Sequence, residues 1–249
     1  MSTKIYAMIP ARAGSERLKI KNLSLLDGKP LIAYSILAAK ESKVFNKIII
    51  NSDNSLFKKI SDRYDVDFYL RPKILGGSTI TSDEVVLDFM CNNKCDVLVW
   101  VNPISPLQTG KEIEDVISYF IKNKLNSLIT VVERQAHCVL DKKPINFVMD
   151  EKFKKTQDLD PVREMVYSIM MWKTSSFIKE MDSKGYAILH GKVGYYPVSK
   201  LSALIVKTAD DLKLINYIIR SDNLSSNQVE YDRLAHELIE VKKNKKPIA

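Results

Sequence analysis

Short apolar runs alternate with stretches of helical periodicity along most of the chain. Ile5–Ile9, Lys47–Asn51, Val66–Leu70, Val97–Val101 and Leu128–Val132 have the length and composition of strands buried on both faces. Val97–Val101 (VLVWV) is the most apolar and is predicted at the centre of the sheet. Between these runs, Leu31–Ser42 reads as a helix with Leu31, Tyr34, Leu37 and Ala38 on one face. Asn54–Tyr64 reads as a second, with Leu56, Phe57, Ile60 and Tyr64 inward. Val85–Met90 and the stretch carrying Ile113, Val116, Ile117, Phe120 and Ile121 predict two more. The rhythm lapses from His137 to Pro161, which carries Lys142, Lys143 and several lysines between 152 and 155. It resumes with a strand at Val166–Trp172, a helix from Ser175 to Met181, a strand at Ala203–Val206, and helices at Asp210–Arg220 and about Gln228–Val241. Alternation of this kind predicts an α/β fold: a three-layer Rossmann-like sandwich with a mostly parallel sheet. The chain reads as one domain over 1–249 with an inserted arm at about 134–165.

Composition narrows the class. The chain has 249 residues, 45% of them hydrophobic and 27% charged, as in ordinary soluble globular proteins. No run approaches the roughly 20 apolar residues of a membrane span, and the start MSTKIYAMIP lacks the apolar core of a signal peptide. A cytoplasmic protein with no membrane partner is expected. Cys91, Cys95 and Cys138 form no CxxC pair, which argues for reduced thiols. His137, His190 and His236 show no metal-ligand spacing. The net charge of +8 is dispersed, apart from Lys242, Lys243, Lys245 and Lys246 near the end. Anionic small substrates account for that excess at least as well as nucleic acid, which no motif supports.

The chemistry is concentrated after the first strand, at Tyr6–Asn22 (YAMIPARAGSERLKIKN). Pro10 is expected to end the strand. Ala11, Ala13, Gly14 and Ser15 allow close backbone approach to a ligand, and Arg12, Arg17 and Lys21 suit a polyphosphate. Neither GxxxxGK[ST] nor GxGxxG is present. A basic surface loop is the plain alternative. Glu16 sets a carboxylate within this loop, either outward or paired with Arg17. Asp53, at the tip of the second strand, is read as a helix cap in preference to a loop or ribose contact. Leu70-Arg71-Pro72 precedes a Gly-rich loop in which Ser82 or Asp83 caps the next helix. Asn102-Pro103-Ile104-Ser105-Pro106-Leu107-Gln108-Thr109-Gly110 follows the central strand, its prolines fixing a turn.

These stretches resemble the nucleotidyltransferases that make CMP-activated acidic sugars: the CMP-sialic acid synthetases and their relatives for legionaminic, pseudaminic and Kdo-type sugars. IPARAGSERLKIKN resembles the family's amino-terminal signature, LRP its base-reading turn, and NPISPLQTG its QPTSPLRTG. The resemblance implies transfer of CMP from CTP to an acidic sugar with release of pyrophosphate, within lipopolysaccharide or capsule biosynthesis. Arg12 and Lys21 would be catalytic. Ala11, Arg12, Ala13, Gly14, Ser15, Arg17, Lys21, Asn22, Arg71 and Ser82 would hold the nucleotide. Asn102, Ser105 and Gln108 would border the sugar. Gln157 and Asp158, in a stretch similar to the family's RQDLP, would reach the sugar site of a partner through a dimerisation arm. Asn102 replaces Gln and Gln108 replaces Arg, which leaves the sugar open. The resemblance also implies Mg²⁺ held by the aspartates of a DIDT-like strand, but here the register reads Ile205-Val206-Lys207-Thr208-Ala209-Asp210-Asp211-Leu212. Ile205 and Lys207 stand where the aspartates belong, and neither ligates a hard cation. Lys207 is therefore assigned to the substrate side, with no metal ligand identified. A relative that binds the nucleotide without turnover is the alternative.

Overall fold

The computed structural model describes residues 3–14 and 18–221. Ser15, Glu16, Arg17 and the helix expected at 228–241 lie outside them. The chain enters through β1 (Ile5–Ala11), then a 3₁₀ turn at Lys21–Leu23. The two-residue strands β2 (Leu25–Leu26) and β3 (Lys29–Pro30) pair antiparallel and lead into α1 (Leu31–Ser42). There follow β4 (Lys47–Ser52), α2 (Lys58–Tyr64), β5 (Asp67–Leu70), α3 (Ser82–Asn92), β6 (Val97–Val101), α4 (Gly110–Lys122) and β7 (Ser127–Arg134). The arm carries a hairpin of β8 (Val139–Leu140) and β9 (Lys143–Pro144). The chain returns through β10 (Val162–Lys173), α5 (Thr174–Lys184), β11 (Val193–Pro197) and α6 (Ala209–Ser221).

Seven strands form the central sheet in the order β11-β7-β10-β6-β1-β4-β5, so β6 is the middle strand, as its VLVWV composition predicts. Every neighbouring pair is parallel except those of β10, which runs antiparallel to both β6 and β7. The sheet is mostly parallel and has helices on both faces. Ile5, Ala7 and Ile9 of β1 pack with Ile32 and Ile36 of α1, Ile60 of α2 and Ile113, Val116 and Phe120 of α4. Met8, Ile49 and Leu98 point the other way, against Val86 and Phe89 of α3 and Phe177 of α5. This period-2 division of one strand between two cores is what a sheet covered on both sides requires. Gly110 opens α4 where it crosses the end of α1: a Cβ there would stand 2.8 Å from the Ser42 backbone nitrogen.

Four expectations need correction. Pro10 does not end β1. Pairing with β4 continues through Pro10↔Asn51 and Ala11↔Ser52, while pairing with β6 stops at Met8↔Trp100. Proline is accommodated where one flank of the strand is already unpaired. Ala203–Val206 is not a strand; it is tied to the turn after β6 through Val206 N–H, which donates to the Ile104 carbonyl at 2.8 Å. The edge position belongs instead to Val193–Pro197, whose Gly194 and Pro197 obscure its strand character. On α1, Leu37 faces solvent, while Ile32, Ala33 and Ile36 are buried, and Leu56, expected inward on the second helix, is likewise exposed, on the 3₁₀ turn that precedes α2.

Candidate functional site

Strand order reverses at β1. Its downstream neighbour β4 lies on one side, and β6, reached after crossing over, lies on the other. Ligands of open α/β sheets lie at such a switch point, beyond the carboxyl ends of the strands. Here the early end of β1–β6 pairing opens a cleft of about 300 Å³ between the two strand tips. It is lined by Pro10 near the end of β1, by Arg12, Lys21 and Asn22 after it, by Arg71 after β5, and by Ser82 at the start of α3. Trp100 and Asn102 line it at the end of β6, and Lys207 before α6.

The floor is built from a buried charge pair. Arg71 is 4% exposed, with Nη2 3.6 Å from Asp53 Oδ1 and Nη1 3.4 Å from the Asn51 carbonyl oxygen. Burial pulls the guanidinium below its ordinary pKa, and Asp53 opposes that shift. Asp53 Oδ1 also accepts the Ala13 N–H at 3.3 Å, so one carboxylate fixes both the loop after β1 and the turn after β5. It does not cap a helix; Asn54 does, its Oδ1 accepting from Leu56 N–H at 2.9 Å. An Asp pointed inward at Ala13 and Arg71 is not free to cap the turn that follows. Gly76 closes over this pair, and a Cβ there would meet Asp53 Oδ2 at 2.4 Å.

The rim follows helix-end chemistry. Thr81, not Ser82 or Asp83, caps α3 in a reciprocal box with Glu84. Ser82 is thereby left exposed in the first turn, lining the cleft. Asp83 instead accepts from Ala187 and Ile188 N–H. Across the cleft, Lys21 Nζ donates to the Val206 carbonyl at 3.0 Å, which draws the segment before α6 against the loop after β1. Thr208 and Asp211 then form a cap: Asp211 Oδ2 accepts from Lys207 N–H at 2.9 Å and from Thr208 N–H at 2.7 Å, and Thr208 Oγ1 accepts from Asp211 N–H. Burial pushes the Asp211 carboxyl up, but these donors outweigh it and hold it below the usual aspartate value.

Seven of the residues expected from the sequence meet in this cleft: Arg12, Lys21, Asn22, Arg71, Ser82, Asn102 and Lys207. Ala11 is buried at the end of β1, Ala13 follows with its N–H on Asp53, and Gly14 is exposed. Ser15 and Arg17 lie outside the described residues. Ser105 and Gln108 do not line the cleft. They are buried inside the turn after β6, where Ser105 N–H donates to the Asn102 carbonyl and Gln108 Nε2 lies 3.5 Å from Ser168 Oγ. The turn packs against α1 and β10, which leaves those side chains no path to the opening. Asn102 stays at the cleft, its Nδ2 donating to the Tyr167 carbonyl at 3.1 Å. Gln157 and Asp158 sit exposed on a 3₁₀ turn of the arm, away from the cleft residues of this chain. Sequence reasoning missed Trp100. Its Nε1 is buried, meets no acceptor among the described residues, and belongs to a ring that lines the cleft. It looked like one more apolar position of a central strand.

Four cations, Arg12, Lys21, Arg71 and Lys207, line the cleft, and no described lining residue is Asp or Glu. Among the described residues there is no group of three or more His, Cys, Asp or Glu able to hold a metal ion. Such a cleft suits a polyanion that brings apolar or aromatic surface to meet Leu18, Ile80, Val85 and Trp100.

Comparison with known proteins agrees. Residues 6–181 match the family model described as Cytidylyltransferase. The chain is 27% identical over 242 residues to the post-translational flagellin modification protein B of Campylobacter coli, covering 90% of this chain and 98% of that one. It is 28% identical over 222 residues to an N-acylneuraminate cytidylyltransferase of Streptococcus agalactiae, spanning about half (51%) of that protein's length. It is 32% identical over 120 residues to a CMP-N,N'-diacetyllegionaminic acid synthase of Legionella pneumophila, covering 46% of this chain and 52% of that one. A solved CMP:2-keto-3-deoxy-manno-octonic acid synthetase complexed with CTP has the same fold, with a TM-score of 0.68 over 88% of this chain and 100% of that one at 12% identity. No helix among the described residues is long and apolar enough to cross a membrane. On the strength of a family match that takes in well over half its residues, the chain belongs to the cytidylyltransferase family.

Proposed function

We propose that the protein transfers CMP from CTP to an acidic sugar of the nonulosonic or Kdo type and releases pyrophosphate. The observation that carries this reading is the cleft at the β1–β6 switch point, walled by four cations and free of described carboxylates. The sugar hydroxyl oxygen attacks the α-phosphorus in line, and a new P–O bond forms. The bond from the α-phosphorus to the bridging oxygen breaks, its electron pair leaves with pyrophosphate, and the hydroxyl proton passes to solvent. Such chemistry is mainly positioning and charge stabilisation. Arg12 and Lys21 hold the phosphates and balance the charge of the leaving group. Arg71, fixed by Asp53, and Ser82 face the nucleoside with Asn22. Asn102 is assigned to the acceptor side, and the sugars in the relatives' names support an acidic sugar as the acceptor class.

The arm supports assembly as a homodimer of single-domain subunits. Val139, Leu140, Ile145, Val148, Met149 and Phe153 on it are all more than half exposed, and a partner copy would cover them. A nucleoside triphosphate as substrate supports a cytoplasmic setting. The test is pyrophosphate release from CTP with a panel of nonulosonic acids and Kdo. Release with one of these sugars supports the reading; CTP binding without release across the panel overturns it in favour of a non-catalytic binding protein.

A further inference from the structure

We propose that Lys207 supplies, at the nucleotide phosphates, the positive charge that a protein-ligated divalent metal would otherwise supply, so that this chain binds CTP without holding a metal of its own. The inference rests on the cytidine-nucleotide reading above. It begins from the chemistry of the donor set. A hard divalent cation needs several oxygen ligands, usually carboxylates. The described lining of the cleft offers none, and carboxylates that flank lining residues are committed elsewhere, as with Glu84, which accepts from the Thr81 N–H and hydroxyl. Asp53 holds Ala13 N–H and faces Arg71. Asp211 accepts from Lys207 N–H, Thr208 N–H and Thr208 Oγ1. Asp210 is turned outward to Lys213, 3.2 Å away. The described residues do not fit a resident metal, and four cations around one cleft would repel it.

The same contacts place Lys207 for a different task. Its backbone is pinned on both sides, by Val206 N–H to the Ile104 carbonyl at 2.8 Å and by its own N–H to Asp211. The side chain is exposed and lines the cleft. The adjacent Val206 carbonyl receives Lys21 Nζ, so two ammonium-bearing residues are brought to one wall. An ammonium is a compact point charge that suits phosphate oxygens. Magnesium arriving as the CTP complex is compatible with this arrangement, since it brings its own phosphate ligands.

The test is CTP binding by calorimetry without acceptor sugar, in EDTA and in excess Mg²⁺, for the wild type and for Lys207→Ala and Lys207→Arg. Mn²⁺ titration of the nucleotide-free protein is followed by electron paramagnetic resonance. The wild type should bind CTP in EDTA. Lys207→Ala should weaken that binding by about tenfold or more, and Lys207→Arg should retain most of it, as expected for one phosphate-binding charge. The nucleotide-free protein should leave the Mn²⁺ signal unchanged. Wild-type binding that requires a divalent ion, together with an unaffected Lys207→Ala, overturns the inference and leaves the cytidylyltransferase reading standing. So does Mn²⁺ capture by the nucleotide-free protein, including capture lost in Glu16→Gln. Failure of the folded wild type to bind CTP under either condition overturns both.

Discussion

The Asp53–Arg71 pair allows a quantitative prediction. At the observed 3.6 Å, an effective dielectric constant of about 20 gives an attraction of about 4–5 kcal/mol. The contact is longer than an ideal charged hydrogen bond and Asp53 is 15% exposed, which reduces the stabilisation lost on removing the charge to about 2–3 kcal/mol. Asp53→Asn keeps the shape and an acceptor for Ala13 N–H but leaves a buried guanidinium uncompensated, because arginine does not give up its proton. Arg71→Met removes the other member. Urea unfolding of the wild type, both single variants and the double variant closes a cycle. Each single change should cost about 2–3 kcal/mol, and the double change should cost less than their sum by about 1–2 kcal/mol. Additivity within about 0.3–0.5 kcal/mol would refute the view that this pair organises the floor of the cleft.

Arg12→Ala and Lys21→Ala should each weaken CTP binding by about 2–5 kcal/mol in calorimetry, with far-ultraviolet circular dichroism unchanged, since neither side chain is core. CTP should bind more tightly than UTP by about 1–3 kcal/mol, the cost of one mismatched buried hydrogen bond, as read by competition calorimetry. The folded-state pKa of Asp211 is depressed, so the stability from its cap is present above the unfolded aspartate value of about 4 and is lost as the pH falls below it. Asp211→Asn should therefore destabilise at pH 7 by about 0.5–1 kcal/mol, the low end for an exposed cap, and have little effect near pH 2, as followed by urea midpoints at the two values.

Much of this architecture is written in local pattern. The doubly apolar VLVWV run fixed its own place at the centre, and the bounds predicted for α1 and β6 are those observed. The loop after β1 and the LRP turn were legible because special residues gather in short stretches. What escaped depends on partners distant in sequence. Asp53 finds Ala13 and Arg71, 40 and 18 residues away, and nothing beside it announces this. Periodicity indicates a strand at Val166–Trp172 but not which way it runs, and the antiparallel pairing of β10 is decided by its neighbours β6 and β7. Ser105 and Gln108 share a turn with Asn102, and only the packing of that turn on α1 and β10 separates the buried pair from the half-buried Asn102 at the cleft.

The contact between Lys21 Nζ and the Val206 carbonyl spans 185 residues. As the protein emerges from a ribosome, Arg12, Lys21, Arg71 and Asn102 appear by residue 102, whereas Lys207 follows roughly a hundred residues later. Long-range closures of this kind are made late and slowly. The nascent chain therefore assembles the strands of its sheet around a basin that stays open on one side until the segment carrying Val206 and Lys207 has been made. A message truncated just upstream of Val206 would yield a chain with the strands of the sheet but without the closing wall.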